Sequence, residues 1–167
     1  MTDNNIIKLN KDNILRLGIQ TSDGKDTGEF LEFNLEDIEL PLKYQELIEK
    51  DKKNKEQLRN QLLIIDKRQD VKGKKLLSKN EEDKLKALND FFKKEVEVYN
   101  IFLGECGVEK LLNGRKLGWT TLQEIDDIIE KQISPHIDIT MKSITDKIKE
   151  KYNQAINRNK EVLKENE

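Results

Sequence analysis

Residues 91–133, FFKKEVEVYNIFLGECGVEKLLNGRKLGWTTLQEIDDIIEKQI, decide the fold. The first third is a strongly apolar helix face, Phe91, Phe92, Val96, Tyr99, Phe102 and Leu103, stopped by Gly104. A glycine-punctuated elbow follows, GECGVEKLLNGRKLGW, with a short helix VEKLLN inside it. The elbow holds the only tryptophan, Trp119, and four of the eight glycines. Thr121 and Glu124 then match the S/T-x-x-E pattern of a helix start, in which each side chain satisfies the other residue's backbone N–H. Leu122, Ile125, Ile128, Ile129 and Ile133 form the apolar face of the next helix, which Pro135 is expected to end because it lacks an N–H and clashes with the preceding turn.

Toward the N-terminus the same reading gives two more long elements. Ser78 with Glu81 makes another capping box and opens a helix running to Leu103, with Leu85, Leu88, Phe92, Val96, Tyr99 and Phe102 expected inward. A basic loop around Gly73 separates it from an earlier helix. That helix is expected to begin near Pro41, a residue tolerated in a first turn, and to reach about Gln69. Its apolar positions are Leu42, Leu47, Ile48, Leu58, Leu62 and Ile65, interrupted by the polar run DKKNKEQ. A short connection between two long helices implies antiparallel packing. Upstream, ILRLGIQ (14–20) and GEFLEFNL (28–35) flank a stretch dense in turn formers, TSDGKDTG, which together read as a β-hairpin. Residues 1–13 are polar and expected to be loose.

From Asp138 a last helix is expected, with Met141, Ile144, Ile148, Tyr152, Ala155 or Ile156, Val162 and Leu163 on a narrow stripe between charged flanks. Such a stripe suits a partner helix better than a core. The expected fold is therefore mainly α: an antiparallel helical bundle with a small N-terminal β-hairpin and a C-terminal amphipathic helix. Residues 1–137 form the hairpin and helical domain, and residues 138–167 the amphipathic helix. Phe92, Tyr99, Phe102 and Ile125 are expected to share one core.

Composition supports extended helices over one large core. Of 167 residues 35% are apolar and 38% charged, against about 45–50% and about 25% in average globular chains. Residues before Pro41 are acidic and the stretch Lys43–Lys79 is basic, either as two solvated faces or as faces that meet within the fold or between subunits. The net charge of −2 says nothing of partners by itself. The single cysteine, Cys106, excludes an internal disulfide. No apolar run approaches the ~20 residues of a membrane span. The opening MTDNNIIKLN lacks the basic and apolar regions of a secretion signal, so a cytoplasmic location is expected.

Residues that could do chemistry are sparse. A zinc site needs about four ligands, and Cys106 and His136 stand alone. A Cys106–His136 acyl-transfer pair would require the two to meet in space, and lone polar residues at helix ends are more often just exposed. NGRKLG lacks the spacing and the Lys-Ser/Thr pair of a phosphate loop. Carboxylates such as Asp126 and Glu130 share a helix face, as ordinary solvated acids do. No catalytic residue, cofactor or metal is expected. The basic Lys50–Lys79 stretch raises nucleic-acid binding, but acids are interspersed and no aromatic residue interleaves the lysines as a stacking platform. Trp119 is either a core plug or an interface residue.

Two segments, GEFLEFNLEDIELPLKYQELIEK and FFKKEVEVYNIFLGECGVEKLLNGRKLGWTTLQEIDDII, give the chain a familiar organisation. It resembles the tail assembly chaperones of tailed bacteriophages and prophages of Gram-positive hosts. The resemblance spans roughly residues 14–135 and rests on the aromatic–glycine helix stop and on Gly107, Lys110, Leu111, Leu112 and Gly114. It implies a non-enzymatic protein that binds the tape-measure protein, helps recruit tail-tube subunits and is not kept in the finished particle. The implied setting is the bacterial host cytoplasm. Leu111, Leu112, Trp119, Met141, Ile144, Ile148 and Tyr152 are the expected partner-binding residues, and a homo-oligomer is expected. The alternative is a helical structural or regulatory interaction module, nucleic-acid-associated through Lys50–Lys79.

Overall fold

The computed structural model describes residues 13–165, with side chains described through residue 156. The opening residues 1–12, and Val162 and Leu163 of the expected terminal stripe, lie outside these descriptions. The fold is mainly α, with a two-stranded antiparallel hairpin at the N-terminal side and a long C-terminal helix.

Strands β1 (Ile14–Gln20) and β2 (Asp26–Asn34) pair from Ile14 opposite Asn34 to Gly18 opposite Phe30, with a register shift before Gln20 opposite Asp26. The turn is Thr21–Lys25, where the Thr21 N–H donates to the Lys25 carbonyl (2.8 Å). The expected loop is thus shortened, because Asp26 and Thr27 already belong to β2. Alternation puts Leu15, Leu17 and Ile19 with Leu31 and Phe33 on one face, and Ile19, Leu31 and Phe33 are buried. On the other face the Arg16 guanidinium lies 3.6 Å from the centre of the Phe30 ring.

Helix α1 (Glu39–Asp66) has Pro41 in its first turn, and the Asp37 carboxylate accepts from the Glu39 N–H (2.9 Å). Helix α2 (Lys79–Leu103) starts at the capping box, with Ser78 accepting from the Glu81 N–H (3.2 Å) and Glu81 from the Ser78 N–H (2.6 Å). Between them, buried Asn80 ties the loop down by donating to the Arg68 carbonyl (3.1 Å). Cross-links from Asn54 to Glu95, Asp66 to Lys84 and Arg68 to Asp83 run in opposite order along the two helices, so α1 and α2 are antiparallel.

The inward stripes differ from those expected. Of the α1 positions expected inward, Leu47, Leu58 and Ile65 are buried and Leu62 is half-buried, whereas Leu42 and Ile48 are exposed and Leu40 is buried in addition. In α2, Leu85 is exposed, Leu88, Phe92 and Val96 are half-buried, and the buried positions are Phe91, Glu95, Val98, Tyr99, Phe102 and Leu103. The physical reason is the carboxyl at 95: a stripe traced through apolar residues alone steps over it. Tyr99, Phe102 and Ile125 are buried as expected, while Phe91 takes the place expected of Phe92. Phe102 meets Phe33 (centroids 5.6 Å) and Tyr44 (5.3 Å), which joins hairpin, α1 and α2.

Gly104 stops α2 at φ 90° and ψ 178°, a conformation open essentially to glycine alone. Asn100 organises the elbow, accepting from the Val108 N–H (2.8 Å) and donating to Glu109 (3.0 Å). Helix α3 (Gly107–Leu112) packs so close that a Cβ on Gly107 would stand 2.5 Å from Leu103 Cβ.

Helix α4 (Trp119–Ile128) begins three residues earlier than the Thr121–Glu124 pattern implies. Gly118 precedes it, its carbonyl accepting from the Leu122 N–H (2.8 Å), and Thr121 reaches back to accept from the Gly118 N–H (2.8 Å). Glu124 pairs with Arg115 (3.0 Å) instead of capping.

The chain divides into two compact units, one ending at Asp126 and the other beginning at Asp127. In the second, a π-helical segment (Ile129–Ile133) leads directly into α5 (Ser134–Glu165). Pro135 therefore does not end the helix. It is the second residue of α5, directly after a turn in which the Ser134 N–H bonds the Ile129 carbonyl; the widened ladder of that turn accommodates the missing proline N–H. The expected boundary at 137/138 falls inside α5. Ile129, Ile133 and Ile137 are buried.

Candidate functional site

Two kinds of surface can be weighed for function: apolar side chains left in solvent, and a polar seam closed within the first unit. On α5, Met141, Ile148 and Tyr152 are 43%, 63% and 67% exposed, and Ile144 between them is half-buried. Their spacing of 3, 4 and 4 residues keeps them on one helix face. Charged residues flank them on both sides.

In the first unit, Trp119 is 51% exposed, with its ring 5.3 Å from Phe91 and 5.1 Å from Phe92. Tryptophan is thus neither a sealed core plug nor free: one side of the indole stacks on α2 and the other meets solvent. Leu111 is half-buried. Leu112 is only 6% exposed, turned inward by the short α3, and offers no free surface for a partner.

The polar seam is the feature the sequence hides. Glu95 sits at 0% exposure in the middle of α2, opposite the polar run of α1. Asn54 donates to its Oε1 (2.8 Å), and the Asp51 carboxyl, one turn earlier on α1, lies near it. Lys55 lies 2.8 and 2.9 Å from the two Asp51 oxygens and 3.9 Å from Asp126 of α4. The Tyr99 hydroxyl donates to Asp126. Three helices are therefore joined through six polar side chains.

Electrostatics follow from burial. Desolvation pushes the Glu95 carboxyl up to about 7; the Asn54 bond pulls the other way, and the nearby Asp51 charge adds to the rise. Burial likewise holds the Tyr99 hydroxyl above its ordinary range, with Asp126 adding to the effect. Asp51, Asn54 and Glu95 carry no motif, since Asn54 and Glu95 are 41 residues apart. The one available signal was the polar interruption in α1 at core-facing spacing from Leu47 and Leu58.

Chemically, the seam can hold protons and fix helices. Among the described residues no group of three or more His, Cys, Asp and Glu side chains could hold a metal ion. Cys106 is exposed at a left-handed backbone position before α3, and His136 is exposed in the first turn of α5. Several cations of the Lys50–Lys79 stretch are engaged by acids: Lys50 with Glu46 (2.5 Å), Lys55 with Asp51, and Arg68 and Lys79 with Asp83 (3.3 and 2.9 Å). No described helix is long and apolar enough to cross a membrane. No protein-family model matches the chain, and neither a curated protein nor a solved structure matches it.

Proposed function

We propose that this protein is a non-enzymatic binder of a helical partner, working as the resemblance to phage tail assembly chaperones implies. In that role it holds the tape-measure protein soluble in the host cytoplasm, helps recruit tail-tube subunits, and leaves before the particle is finished. The observation that carries the reading is the α5 face of Met141, Ile144, Ile148 and Tyr152, with three of its four side chains well exposed. Apolar residues at i, i+3 and i+7 spacing are what a helix offers to another helix or to a groove. Burying each is worth ~1.5–3 kcal/mol. Much of that is offset by the cost of association, so the complexes should exchange, as a departing chaperone requires. Self-association through the same face fits this reading.

The test is co-expression with the tape-measure protein of the same genome. Soluble co-purification supports the proposal, and its loss in the Ile148→Asp, Tyr152→Asp double variant assigns it to α5. A strictly monomeric protein that ignores the tape-measure chain would sink it. The nucleic-acid reading gains no particular support, because acids on α1 and α2 lie among its cations and pair with Lys50, Lys55, Arg68 and Lys79.

A further inference from the structure

We propose that Asp51 and Glu95 share a single proton, so that a carboxylic acid hydrogen-bonds a carboxylate and fastens the middle of α1 to α2. An ionised carboxylate only accepts hydrogen bonds, so two ionised carboxylates cannot bond each other. Glu95 Oε1 is satisfied by Asn54, but the buried Glu95 Oε2 and Asp51 Oδ1 have no hydrogen-bond donor among the described residues. Lys55 stands 2.8 Å from Asp51 Oδ1 as a charge, while its aligned hydrogen bond goes to Oδ2. One proton placed on Glu95 Oε2 would satisfy both orphaned oxygens together.

The surrounding charges favour that count. The titratable groups around Glu95 are Asp51 and Lys55 on α1 and Tyr99 on α2. The Tyr99 hydroxyl is spent on Asp126, and Lys55 lies between Asp51 and Asp126. Asp51 and Glu95 thus face one ammonium, and a shared proton removes their excess negative charge. Leaving two like charges in a closed site is the costly alternative. A proton held between two carboxyls belongs to the pair. The clasp closes at mildly acidic pH and opens when the proton leaves on the alkaline side of neutrality.

The test uses the full chain and two readouts. Carbon-detected NMR titration of the Glu95 carboxyl should give a midpoint near neutrality, falling toward the ordinary carboxylate range in Asp51→Asn, whose amide can donate to ionised Glu95. Urea unfolding should show the equilibrium moving toward the unfolded state by roughly 10-fold or more between pH 5.5 and 8 in the natural chain. Glu95→Gln mimics the neutral acid and should abolish most of that dependence. A Glu95 titration at or below the ordinary range would overturn the proposal. So would a Glu95→Gln variant that keeps the natural chain's pH dependence. If Glu95→Gln does not fold, the titrations of the natural chain and of Asp51→Asn decide alone.

Discussion

Glu95 occupies a position that α2 otherwise fills with Phe91, Val98, Tyr99 and Phe102. A buried carboxyl is tolerated there only because partners surround it and because it can be neutral. The sign of its contribution follows from the direction of its shift. The folded value, about 7, lies above the ordinary 4.5, so the folded protein holds the proton more tightly than the unfolded chain. That stabilisation is fully present below about pH 4.5 and is lost as pH rises through about 7. It amounts to up to about 3 kcal/mol at 1.36 kcal/mol per pH unit, measurable as a falling urea midpoint. Two neighbours give sharper numbers. Tyr99→Phe removes the donor to Asp126 and should cost ~1.5–3 kcal/mol, as a hydrogen bond to a charged group does. Phe102→Ala, at a 3% exposed site touching Phe33 and Tyr44, should cost ~3–5 kcal/mol in denaturant melts. A loss under about 1 kcal/mol would mean the aromatic junction repacks.

Secondary-structure elements were legible where local chemistry governs them. The Ser78–Glu81 box, the glycine stop at 104 and the alternation of Leu31 and Phe33 depend on neighbours a few residues away. Ser78→Ala should therefore cost ~1 kcal/mol, and the carboxyl of Glu81, held below its usual range first by the Ser78 N–H and then by the Ser78 side chain, should move only part of the way toward an ordinary glutamate, because the backbone N–H remains. Gly104→Ala should destabilise by ~1–3 kcal/mol, because its backbone conformation excludes a Cβ; thermal melts of the two variants would rank them. Local signals also misled. Thr121–Glu124 has the composition of a capping box, yet Gly118 supplies the helix start and Glu124 is engaged by Arg115. The seam of Asp51, Asn54 and Glu95 was not legible, because its members meet only through antiparallel packing of elements far apart in the chain. The candidate binding face fared between these extremes. The α5 spacing was readable, but the burial of Leu112 depends on how tightly α3 is drawn in by Asn100 and Gly107.

For the whole molecule, the low apolar content and the high charge leave much hydrophobic surface uncovered, and α5 carries a share of it. Ile148→Asp with Tyr152→Asp should leave the thermal midpoint nearly unchanged, since substitutions at exposed sites usually shift stability by no more than about 0.5 kcal/mol. The same pair should shift light scattering toward the monomer across a dilution series. Unaltered scattering would move the association surface elsewhere, Trp119 being the next to test. The π-helical segment at Ile129–Ile133 has a bearing on that face too. An α-helix advances about 100° around its axis per residue, whereas a π turn spreads one more residue over about the same rotation. Deleting one residue there, Lys131 for instance, would let the segment relax to α-helix. Met141, Ile148 and Tyr152 would then keep nearly their present bearing relative to Ile129. Circular dichroism and partner binding should both barely change, because the wide turn absorbs one residue without turning the α5 stripe.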